Sequence, residues 1–127
     1  MGSTELIRRR MMAVAQDYYK GWVEGYKVGD TGDAIADEDN FLSPMLPVQG
    51  RHRIKWSYNA TNTPRAQFYS PDDSKLTLYL MNGERTVTVP ALAVKIQLSF
   101  PVATIDNCYL LDETDNVYIF KGKNVII

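Results

Sequence analysis

Asp106 is the residue whose surroundings most invite a chemical role. It is the only charged residue between Ile96 and Leu111, and a carboxylate carried into a buried strand is costly unless paired or kept neutral. Strand alternation leaves a second outcome open, with Asp106 facing solvent on the outer surface of a sheet. Cys108, two residues on, shares its sheet face and reads as a small apolar filler, since nothing nearby activates the thiol. Tyr18 falls on an apolar helix face, either as a core aromatic with a satisfied hydroxyl or as a donor into a pocket. Trp22, one turn further, reads as packing or as pocket wall. His52, between Arg51 and Arg53, reads as the exposed start of a helix.

Composition narrows the chemistry. One cysteine excludes an internal disulfide, and with a single histidine beside it a Cys/His zinc site is excluded too, so no metal and no cofactor are expected. The acidic residues Asp30, Asp33, Asp37, Glu38 and Asp39 lack the alternation and closing Glu of a calcium loop and read as a solvated face. A net charge of -1 on 127 residues speaks against a nucleic-acid binder, and Arg8-Arg9-Arg10 is too short a run to change that. Asn59-Ala60-Thr61 fits a glycosylation sequon by chance. No run approaches the roughly 18 apolar residues of a membrane span, and no signal peptide is expected before Glu5 and Arg8. A cytoplasmic protein of one domain, residues 1–127, is the expectation.

The elements that must position these residues divide the chain. Ile7, Met11, Val14, Tyr18 and Trp22 recur at three- and four-residue steps, which predicts one amphipathic helix from Ser3 to about Gly25. A short helical turn is expected over Asp33–Asp37 and another short helix over Arg51–Asn59, carrying Ile54, Trp56 and Tyr58. Phe41 to Val48 is extended, because Pro44 and Pro47 resist helix. Beyond Pro64 the period becomes two. Leu76–Leu80 and Arg85–Val89 flank Asn82-Gly83, the signal of a hairpin. Strands are also expected over Ala93–Phe100, Val102–Leu111 and Val117–Phe120, with a turn over Asp112–Asn116. Helices first and antiparallel strands after make an α+β fold.

Three stretches add a resemblance: Gln16-Asp17-Tyr18, then Ser43-Pro44 with Gly50-Arg51, then Ala103-Thr104-Ile105-Asp106-Asn107, running on to Phe120-Lys121-Gly122-Lys123-Asn124. With the order of elements, they resemble the nuclear-transport-factor-2-like superfamily, and within it the steroid isomerase and polyketide cyclase branch. The resemblance implies a cone, with a long N-terminal helix and short helices packed on a curved antiparallel sheet. It implies a pocket for an apolar small molecule, in which Tyr18 and a protonated Asp106 donate hydrogen bonds to an enolate oxygen. Trp22, Phe41, Trp56 and Cys108 would line that pocket. The base does not carry over. Its position holds Ser43, and a serine cannot keep a proton taken from carbon. Two classes of function follow: an isomerase, dehydratase or cyclase acting on an apolar carbonyl compound, or a noncatalytic ligand-binding or homodimeric assembly module. Apolar residues on both alternating faces of the strands favour a homodimer.

Overall fold

The computed structural model describes residues 18–126. In chain order its strands are β1 (Val23–Val28), β2 (Ala34–Leu42), β3 (Leu46–Pro47), β4 (Arg53–Trp56), β5 (Arg65–Tyr69), β6 (Lys75–Leu80), β7 (Arg85–Thr88), β8 (Lys95–Gln97), β9 (Ser99–Pro101), β10 (Tyr109–Asp112) and β11 (Val117–Lys121). They form three antiparallel sheets, ordered β1-β2-β9, β11-β10-β4-β7 and β3-β8-β5-β6. A single 3-10 turn, Ile105–Asn107, interrupts them. Over the described residues the fold is therefore nearly all β, and the expected α+β cone is not formed.

Each misread element has a physical cause. Residues 3–17 of the expected N-terminal helix lie outside the described residues. Within them, Trp22 N–H closes a turn on Tyr19 O (3.0 Å), and the chain is already extended at Val23. Gly25, at φ +96°, sits where the β1–β2 register shifts between Glu24 and Tyr26, so it makes a bulge rather than ending a helix. The expected turn at Asp33–Asp37 is part of β2: Ala34, Ile35 and Ala36 face Val28, Lys27 and Tyr26 across the ribbon. Cross-strand pairing there overrides alanine's helix preference. The expected helix at Arg51–Asn59 is β4, with Ile54 and Trp56 fully buried and Arg53 exposed, which is strand alternation. Of the strand expected over Val102–Leu111 only Tyr109–Leu111 is formed, as the start of β10, and Asp106 lies in the 3-10 turn before it rather than mid-strand.

Sheet changes explain the rest. Asn82-Gly83 joins two strands, but β6 pairs with β5 and β7 pairs with β4, so this turn is a corner between two sheets and not a hairpin. A second corner is doubled. The chain crosses from β2 to β3 at Ser43-Pro44, and beside it from β8 to β9 at Leu98. The turn before β11 and the extended run through Pro44 and Pro47 match expectation. At the centre lie Ile54, Trp56, Phe68, Met81, Ile96, Leu98, Phe100 and Leu110, each fully buried and each stabilising the fold by roughly 1.5–3 kcal/mol. Among the described residues no helix is long and apolar enough to cross a membrane.

Candidate functional site

The residues expected to form a pocket are mostly packing residues. Tyr18 is half exposed, and its hydroxyl makes only a long bond to Lys121 O (3.4 Å). The neighbouring Tyr19 takes the inward place. It is 3% exposed, donates to Asp106 Oδ1 (2.5 Å) and accepts Lys123 N–H (3.2 Å). Burial, and then the bond to Asp106, push the Tyr19 hydroxyl well above the usual tyrosine range, so it stays protonated and donating. Asp106 is half-buried, and Lys123 Nζ stands 3.7 Å from its second oxygen. The structure thus pairs Asp106 with Tyr19, one position from the Tyr18 singled out by the helical spacing. The signal that separates the two tyrosines is the end of helical geometry, which the i, i+4 pattern ignored.

Around Tyr19 the structure gathers Trp22 and Phe41 in a cluster of aromatic rings. The Trp22 and Phe120 ring centroids are 4.4 Å apart, Trp22 and Phe100 5.9 Å, and Phe41 and Tyr19 6.2 Å. Trp56 lies elsewhere, edge-on to Tyr79 at 6.4 Å, and its indole N–H has no partner among the described residues. Cys108 is buried, and its thiol donates to Thr104 O (3.3 Å); burial raises its pKa, the opposite of an activated thiol.

Ser43 builds the doubled corner. Its N–H donates to Leu98 O (2.9 Å), Leu98 N–H donates to Ser43 Oγ (3.0 Å), and the hydroxyl donates to Pro44 O (2.7 Å). Gln97 Nε2 donates to Ser43 O (3.1 Å). With every polar group of Ser43 engaged, a serine is what the crossing of two chain segments needs at this point.

Two surface features remain. The ribbon of β1 and β2, residues 23–42, carries six carboxylates and one lysine, a net charge of -5 in a chain of -1, so all other residues together carry +4. Val23, Tyr26 and Ile35 stand on the same ribbon, each close to half exposed. Asn62 pins it: its side-chain amide donates to Asp37 Oδ1 (2.9 Å) and Asp39 Oδ2 (3.1 Å), and its backbone carbonyl accepts from Lys27 Nζ (2.5 Å). Beside it a shallow groove of about 210 Å³ is lined by Lys27, Gly29, Asp30, Ile35, Thr63 and Arg65. The second feature is His52, whose Nδ1 is 2.8 Å from Asp112 Oδ2 at the start of the β10–β11 turn. Burial opposes ionisation of Asp112, but the bonds from His52 and from the Asp115 and Thr114 N–H groups outweigh it and hold the carboxyl below its usual range. No protein-family model matches the chain, and no curated protein or solved structure matches it either.

Proposed function

We propose that the chain is a noncatalytic assembly module that joins a second copy of itself through the β1–β2 ribbon. The observation that carries this reading is the uneven charge: -5 on the ribbon against +4 on everything else. Arg51 and Arg53, both exposed at the start of β4, offer the ribbon a cationic counterpart on the second copy. In a two-fold dimer each ribbon meets the partner's arginines, so the contact is made twice. Tyr26 adds exposed apolar area on one face of the ribbon, and Ile35, paired with Lys27, adds it on the other. The fully engaged Ser43, at the position the resemblance assigns to the base, supports a surface role over catalysis. Sedimentation velocity tests the reading. A dimer is expected at micromolar concentration and low salt, dissociating as salt rises toward 0.5 M and lost in Glu38→Lys with Asp30→Lys. A monomer at every concentration and at low salt overturns it.

A further inference from the structure

We propose that His52, Asp112 and Asp115 form a binding site for a divalent transition-metal cation of the zinc class, stapling the start of β4 to the β10–β11 turn. The donor atoms, one imidazole nitrogen and two carboxylate oxygens, all lie within 4.8 Å of one another. His52 Nδ1 is 2.8 Å from Asp112 Oδ2 and 3.8 Å from Asp115 Oδ2. Ligands about 2.1 Å from a tetrahedral zinc stand roughly 3.4 Å apart, so the two measured spacings bracket the required one. Seating the ion therefore opens the His52–Asp112 pair by about 0.6 Å and draws the exposed Asp115 inward, movements within the reach of side-chain rotation.

The backbone beneath the three residues is already fixed. Glu113 N–H donates to Arg53 O (2.8 Å), and Arg53 N–H donates to Thr114 Oγ1 (2.9 Å). Val89 N–H donates to His52 O (2.8 Å), and Asp115 N–H donates to Asp112 Oδ1 (3.0 Å). That last bond turns Asp112 so that its other oxygen points at His52. Such outer contacts orient ligands before a metal arrives. The side chains of His52 and Asp112 are 14% and 11% exposed, while Asp115 is 59% exposed, so two ligands are set in and one forms the rim. The rim side leaves the fourth position for water.

The donor set also selects the ion. One imidazole with two carboxylates suits zinc and its neighbours, whereas calcium takes six to eight oxygens. The absence of a Cys/His zinc site, argued from composition, does not bear on this one, because it needs no thiolate. Arg51 and Arg53 flank His52 in sequence and oppose a cation; the two carboxylates offset them at close range, and alternation turns Arg53 to the opposite face of β4.

The plain alternative is a bare His52–Asp112 hydrogen bond, in which Asp115 plays no part. Calorimetric titration of the metal-free full chain with zinc chloride, and separately with calcium chloride, separates the two. One equivalent of zinc is expected to bind, more tightly than calcium. Asp115→Asn is expected to weaken zinc binding at least about tenfold while leaving the metal-free melting temperature unchanged, and His52→Gln to abolish it. His52 is the chain's single histidine, so its imidazole resonances report occupancy directly and should shift with one equivalent of zinc. Absence of zinc binding up to millimolar concentration, zinc affinity unchanged in either variant, or silent His52 resonances would overturn the site.

Discussion

Replacing Tyr19 by Phe removes one oxygen from two hydrogen bonds, and its cost follows from the surroundings of each. The bond to Asp106 has a carboxylate acceptor, the class that contributes about 1.5–3 kcal/mol. The Asp106 side chain is 36% exposed, so water replaces part of the loss, while Lys123 N–H is left without its acceptor. These place Tyr19→Phe at about 1.5 kcal/mol, roughly a tenfold change in the folding equilibrium. Tyr18→Phe, one position away but half exposed and held by a long 3.4 Å bond, should stay within about 0.5 kcal/mol. Urea denaturation reads both as midpoint shifts at unchanged slope. Alkali gives a second test. The Tyr19 hydroxyl is raised above the value of an unfolded tyrosine, near 10, so its contribution is complete below that pH and is lost as pH climbs further. Tyr19→Phe should therefore flatten the alkaline fall in stability. Equal costs for the two phenylalanine variants, or an alkaline limb unchanged by Tyr19→Phe, would refute the assignment of Tyr19 as the inward donor.

Substitutions at two further positions test the architecture. Ser43→Ala strips the acceptor from the buried Leu98 N–H and should cost about 1–3 kcal/mol by thermal or urea unfolding, whereas Ser43→Asp should cost more and confer no isomerase activity on an unsaturated ketosteroid. Gly122→Ala should destabilise more than a typical surface change, by over about 2 kcal/mol, because a Cβ there would collide with the Ile105 carbonyl and the Asp106 backbone; circular dichroism melts check it.

Strands were legible wherever a single sheet decides the pattern. The strands β6 and β7 and the turn before β11 stand as read, because pairing there acts on period two, whereas β5, buried along four of its five residues, offered no alternation to read. Ile54, Trp56 and Tyr58 alternate at the same period, a two-residue spacing that fits the observed β4 and not the helix expected there. The pairing of β6 and β7 was not legible: Asn82-Gly83 specifies a reversal, and only the competition of β5 and β4 for partners turns that reversal into a corner. Asp106 was readable from its uncharged surroundings, but its partner was not, since helical spacing favoured Tyr18 over Tyr19. His52 and Asp112 are 60 residues apart, joined only through the pairing of β4 with β10, and no local pattern marks such a meeting.

The registers also constrain how the chain reaches its fold. Phe41 faces Phe100, Leu46 faces Ile96, and Trp56 faces Leu110, each pair separated by at least fifty residues. Every sheet is thus finished by a segment from the last third of the chain. The loop-closure entropy of these long pairings must be met before their contacts form, which places folding in the slow range of all-β topologies, milliseconds to seconds. During synthesis the buried faces of β2 and β4 wait uncovered until β9 and β10 leave the ribosome. Loss of the final strands would strand Trp56 and Ile54 on an open sheet edge, the setting in which such a chain aggregates.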